Sequence, residues 1–317
     1  MVVKEKSNEI TLSRIYDAPV KAVWEAWTDP EKAAKWWGPR GFTITTHSKD
    51  LKVGGHWHYT MHGPDGVDYP NKTVYFEVEE CAKLVYDHGA NDTQAPLFRV
   101  TVQFSEKDGK TTMDMRMKLA TAEAAEETAK FIKKAGGNAT WDRLAEYLEE
   151  TRGGKQIFVI NRSFNAPVEK MFEMWTNPDH LVKWLATTGS TMEFIKRDIR
   201  PGGSSFSHLV GNGIEMYSRA NYLEIEKPHR IVYTQEFCDK DEKISRHPLA
   251  PTWPERMLTE VTLSPEGTEQ TRVTIKWECH GDTKPEELAA FVKARGGMTQ
   301  GWTGSFDKLE EYLAETP

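Results

Sequence analysis

Arg14, Ala18, Pro19, Trp27, Pro30, Trp36, Gly54 and Gly55 return 148 residues later as Arg162, Ala166, Pro167, Trp175, Pro178, Trp184, Gly202 and Gly203. One offset held across Trp, Pro and Gly is the mark of a duplicated unit. The offset is 147 at Tyr75/Tyr222 and Tyr86/Tyr233, 159 at Val102/Val261 and 165 at Tyr147/Tyr312. Copy two therefore gains 12 residues between Tyr233 and Val261. Gains of this kind fall in loops rather than in packed elements. A repeat of this length exceeds a solenoid unit, which runs about 20–50 residues, and it is long enough to bury a core of its own. Two globular domains are expected, at residues 8–150 and 156–317.

The charge balance narrows the partners. Residues 1–150 carry 20 basic and 24 acidic side chains, and the remainder carries 21 and 24. Neither half has the basic footprint that nucleic acid requires, and no membrane association is expected. No apolar run approaches the 18 residues of a membrane helix, and the first residues show no signal-peptide core. Cys81, Cys238 and Cys279 occupy unrelated positions in the two copies. They read as reduced thiols of a cytoplasmic protein, not as a disulfide framework or zinc site.

Within copy one, Ile10, Leu12 and Ile15 mark an opening strand. Val20, Val23, Trp24 and Trp27 then fall on one helix face, and copy two repeats that face with Val168, Met171, Phe172 and Trp175. Asp29 and Asn177, each followed by Pro, cap a second short helix. The period then changes to two. It predicts strands at 42–48, 56–62, 74–80, 83–88, 98–105 and 111–119, joined by Gly-rich turns into an antiparallel meander. Helices are predicted at 122–131 and 138–149. One amphipathic helix cannot fully cover a curved six-stranded sheet, and the hollow left beneath it suits apolar molecules.

The segments Arg14 to Val20, Trp24 to Trp37, Val53 to Trp57, Met61 to Gly66 with Tyr69 and Pro70, and Leu84 to Tyr86 carry a resemblance. Copy two matches it at Arg162 to Val168, Arg200 to Gly203, Ile231 to Tyr233 and Gly301-Trp302. Together they resemble the SRPBCC (START/Bet v 1-like) superfamily, and within it the Aha1 C-terminal-like group of Hsp90 ATPase activator homologues. The resemblance implies an α+β fold of two tandem helix-grip domains. Each would be a curved antiparallel sheet of six to seven strands around a long C-terminal helix, with two short helices after the first strand. It also implies that Gly301-Trp302 opens the last helix of copy two, where copy one has Gly136-Gly137. The superfamily is mostly binding modules with some enzymes, and the group has no shared catalytic set to carry over.

The expected function is therefore non-catalytic binding of a small apolar or amphipathic molecule, with no cofactor and no metal. The expected cavity residues are Trp24, Trp27, Trp57, Tyr59, Phe76, Phe131 and Trp141 in copy one, and Phe172, Trp175, Leu209, Leu223, Phe291, Trp302 and Phe306 in copy two. Alternation along 56–62 places Trp57, Tyr59 and Met61 on the inner face, against Ser205, Ser207 and Leu209 in copy two. One hollow should be crowded with rings and the other more open and polar. His56, His58 and His62 are expected to face solvent. Arg14 and Glu77, matched by Arg162 and Glu224, suggest a cross-strand pair. Two rival readings stand: a surface partner of an Hsp90-type chaperone, and a cyclase- or hydrolase-like enzyme in one cavity with Ser205, Ser207 and His208 turned inward.

Overall fold

The computed structural model describes residues 7–91, 94–134, 139–152 and 156–316, and of residues 131, 133 and 134 the backbone alone. The expected residues Gly136 and Gly137, and the side chain of Phe131, lie outside the described set. The chain divides into two compact units between Arg152 and Gly153.

The first unit runs β1 (Glu9–Tyr16), α1 (Val20–Thr28), α2 (Pro30–Trp36), β2 (Thr43–Lys49), β3 (His56–His62), β4 (Asp68–Glu79), β5 (Lys83–Ala90), β6 (Phe98–Lys107), β7 (Lys110–Lys118), α3 (Ala122–Lys134) and α4 (Ala139–Thr151). The second runs β8 (Phe158–Phe164), α5 (Val168–Thr176), α6 (Pro178–Trp184), β9 (Ser190–Arg197), β10 (Ser204–Gly211), β11 (Ile214–Glu226), β12 (Arg230–Cys238), β13 (Arg256–Pro265), β14 (Thr271–Cys279) and α7 (Pro285–Glu315). Each unit is a seven-stranded antiparallel sheet, ordered β1-β7-β6-β5-β4-β3-β2 and β8-β14-β13-β12-β11-β10-β9. These are the two tandem helix-grip domains of an α+β fold. Among the described residues no helix is long and apolar enough to cross a membrane.

The matched residues do matched work. The Trp36 and Trp184 indoles donate to the carbonyls of Ala26 and Met174, and both rings are fully buried. The Thr111 and Thr271 hydroxyls donate to the carbonyls of Ala18 and Ala166. Asp29 accepts from the Glu31 and Lys32 amides, and Asn177 from Asp179, so both short helices are capped by side chains. The paired glycines mark a close backbone approach. A Cβ at Gly55 would lie 2.2 Å from the Asp50 carbonyl oxygen, and one at Gly203 2.4 Å from that of Asp198.

Four expectations change. Strand β4 begins at Asp68 rather than Val74 and contains Pro70. Its pairing with β5 starts only at Lys72, so Pro70 bonds on one side alone, where a missing N–H is tolerated. Gly301-Trp302 lies deep inside α7, which already starts at Pro285 and runs 31 residues. Packing on the sheet carries this helix through glycines that local propensity alone would take as an end. In β1 the inward positions are Leu12, Arg14 and Tyr16, while Ile15 is exposed. Arg14 does not pair with Glu77. It reaches Asp142 of α4 at 3.4 Å with both side chains buried, and Arg162 reaches Asp307 of α7 at 2.5 Å. Glu77 and Glu224 sit on the surface with Lys83 and Arg230.

Candidate functional site

The concave face of the second sheet encloses a cavity of about 510 Å³. Four layers of structure build its wall. The sheet supplies Met192, Phe194, Ser205, Ser207, Leu209, Met216, Ser218, Tyr222, Tyr233 and Gln235, among others. The short helices supply Trp175 and Leu181, and the residue just after α6 supplies Leu185. The face of α7 supplies Ala294, Gly297, Met298, Gly301, Trp302 and Ser305. The fourth layer is the segment inserted in copy two, which contributes His247, Ala250, Trp253 and Pro254.

The inserted segment is pinned over the hollow. The Arg246 guanidinium donates to the Trp253 carbonyl at 2.9 Å and to the Glu287 carboxylate of α7 at 2.7 Å. The Trp253 ring lies 5.9 Å from Phe291, and His247 meets Phe237 edge-on at 4.9 Å. On the sheet side two pairs of hydroxyls bond to each other, Ser205 with Tyr222 and Ser207 with Ser218, each at 3.0 Å. Burial raises the Tyr222 phenol to about 12 and pushes Tyr233 higher still. Burial also lowers the His247 imidazole.

In copy one, rings stand where copy two is hollow. Trp37, Trp57 and Tyr59 occupy the positions of Leu185, Ser205 and Ser207. Their rings meet at 5.0 Å for Trp37–Trp57 and 4.2 Å for Trp57–Tyr59. The Trp37 indole donates to the Tyr59 hydroxyl at 3.2 Å, and that of Trp57 to Thr46 at 3.1 Å. Tyr59 has no exposed surface at all. Trp27 stacks on Trp141 in copy one, as Trp175 does on Trp302 in copy two.

The expected cavity residues sort accordingly. Trp175, Leu209 and Trp302 line the copy-two cavity. Phe172, Phe291 and Phe306 are buried in the core around it and do not form its wall. In copy one Trp24, Trp27, Trp57 and Tyr59 are buried and Trp141 packs against them. Phe76 and Leu223 are misplaced: they are 42% and 49% exposed, and Phe76 lies under Arg99 on the outer face. The register slips between Tyr75 and Glu77, and between Tyr222 and Glu224, so each of these residues is the extra one of a β-bulge.

His208 does not turn inward. It sits on the outer face between Glu193 and Glu215, stacked on Tyr217. His56 and His62 bond to the hydroxyls of Ser48 and Thr45, also on the outer face. Among the described residues no three His, Cys, Asp or Glu side chains gather as metal ligands. Tyr222, Tyr233, Trp253 and Trp277 line the cavity and escaped the sequence reading. The two tyrosines were visible as matched pairs with Tyr75 and Tyr86, and Trp253 as the one tryptophan of the insertion.

A half-buried cation sits beside the rings of copy one. The Lys49 ammonium lies 3.9 Å from the Trp57 ring centroid and donates to the Trp27 carbonyl at 3.1 Å. Burial lowers it to about 7, against a weaker upward pull from Asp29. Below pH 7 both folded and unfolded chains hold this proton, and the penalty for the buried charge is fully present. As pH rises past 7 the folded chain releases it first, so stability should climb until the unfolded lysine titrates near about 10.4. Lys49→Met should flatten that rise and stabilise copy one at pH 6, as thermal unfolding across pH 6–9.5 would show. An unchanged slope would remove Lys49 as its source.

A hollow helix-grip domain in tandem with a ring-packed one places the chain in the class of cavity-bearing helix-grip proteins. The family described as "Activator of Hsp90 ATPase homolog 1-like protein" matches residues 17–149 and 165–314, so the chain belongs to that family twice over. Solved structures resemble single copies. One from Arthrobacter aurescens is 26% identical over 46% of this chain and 88% of its own, with a TM-score of 0.43. One from Staphylococcus epidermidis is 26% identical over 47% of this chain and 94% of its own, with a TM-score of 0.42. The di-domain ARO/CYC BexL from the BE-7585A biosynthetic pathway spans 96% of this chain and 97% of its own at 10% identity, with a TM-score of 0.40. The sequence has no match among curated proteins.

Proposed function

We propose that copy two binds a small apolar or amphipathic molecule in its cavity without transforming it, and that copy one is a filled, structural counterpart. The observation that carries this is the 510 Å³ hollow itself, which falls in the size range of small-molecule sites. Its walls are mainly hydrocarbon and indole, with a few hydroxyls to orient a guest. Ser205 and Ser207 turn inward, yet their partners are Tyr222 and Ser218 rather than a histidine or carboxylate that could activate them. The reading thus favours a carrier over a cyclase- or hydrolase-like enzyme.

The test is a titration of the intact protein with the neutral probe N-phenyl-1-naphthylamine. Saturable binding at one site is expected, with quenching of tryptophan emission because Trp175, Trp253, Trp277 and Trp302 all line the cavity. A folded sample that binds no probe would overturn the proposal.

The family match supports a second reading, contact of an outer surface with an Hsp90-type ATPase. Its check is the ATPase rate of the chaperone with and without this protein. An unchanged rate sinks it and leaves the carrier reading untouched.

A further inference from the structure

We infer that the occupant of the copy-two cavity is an uncharged, ring-based molecule that lies with one face against the Gly297–Gly301 strip of α7. This deepens the carrier reading and rests on it. The cavity wall contains no Asp, Glu, Lys or Arg. Its only titratable side chains, Tyr222, Tyr233 and His247, are held neutral by burial near pH 7. A carboxylate, phosphate or ammonium entering the hollow would leave water and find no counter-ion. A neutral oxygen or nitrogen function would find a partner, because the Gln235 amide on the wall has none among the described residues.

The glycines bring a second, independent observation. Gly297 and Gly301 stand four residues apart on one face of α7, and glycine weakens a helix interior. Protein packing does not demand them. A Cβ at Gly297 would meet nothing within 4 Å, and one at Gly301 only the Thr187 methyl at 3.9 Å. Gly304 differs, because its Cβ would strike the Thr188 hydroxyl at 2.6 Å. The space beside Gly297 and Gly301 is the cavity, so the bare backbone there serves whatever fills it. Trp175, Trp277 and Trp302 stand on the same wall, Trp302 contacting Trp175 at 6.1 Å and Trp277 at 5.7 Å, so indole surface borders the strip.

The test compares N-phenyl-1-naphthylamine with its sulfonated counterpart, 8-anilino-1-naphthalenesulfonate, on the full chain. The neutral probe should bind more tightly by at least about tenfold. Equal affinity would overturn the demand for neutrality while the carrier reading stood, and failure of both probes would sink carrier and inference together. 1-Dodecanol, neutral but without rings, should displace the naphthylamine poorly. Displacement at equal concentration would overturn the ring assignment. Gly301→Leu should lower naphthylamine affinity by at least about tenfold, and Gly301→Ala should raise the thermal midpoint while weakening binding measurably. Unchanged affinity in a folded Gly301→Ala protein would overturn the role of the strip.

Discussion

Ser205→Trp combined with Ser207→Tyr should severely weaken probe binding while the protein stays folded. Copy one shows that the architecture accepts these rings, since Trp57 and Tyr59 occupy the same two strand positions there. The backbone context is matched as well: the Tyr75 amide donates to the Gly55 carbonyl and the Tyr222 amide to that of Gly203, both at 3.0 Å. Overpacking ordinarily destabilises a core, but here the added rings enter a hollow. The match is incomplete, because the new indole would meet Phe194 where Trp57 finds the Thr46 hydroxyl. A small loss of stability is therefore expected alongside a loss of affinity on the order of 100-fold, or about 2.7 kcal/mol. Probe titration and circular dichroism on the same sample decide the matter. Near-wild-type binding in a folded double variant would place the ligand elsewhere.

The reverse change should be costly. Trp57→Ala removes a ring that touches Trp37, Tyr59 and the Lys49 ammonium at once. Large-to-small changes of a buried tryptophan cost about 3–5 kcal/mol. The upper part of that range is expected, because the neighbouring rings are rigid and collapse poorly into the gap. The loss should couple to Lys49, whose charge would lose its ring face, so Trp57→Ala with Lys49→Met should cost less than the two single effects summed. Urea unfolding followed by hydrogen exchange in β2 and β3 would report it. A loss under about 1 kcal/mol would show that the ring cluster is loosely packed.

Much of this contrast was legible in the sequence. Alternation along one strand put Trp57 and Tyr59 opposite Ser205 and Ser207, and the matched prolines and caps set the short helices. What failed was parity beyond an irregularity. Phe76 and Leu223 look like inward aromatic and aliphatic residues only while the period of two runs unbroken. The bulges after Tyr75 and Tyr222 put them outside. Sequence alternation cannot reveal a bulge that no glycine marks. Likewise α7 hid its length behind glycines that local propensity takes for an end. The inserted segment reads as extra chain in the sequence, but its role as a cavity wall depends on Arg246 reaching Glu287, a contact set by tertiary structure alone.

The unequal filling of the two halves has a mechanical corollary. Hydrostatic pressure favours whichever state occupies less volume, and internal voids vanish when a chain unfolds. The hollow copy is thus the half expected to unfold at the lower pressure, and the tryptophan-packed copy the more resistant one. A guest that fills the hollow should raise the pressure its half withstands.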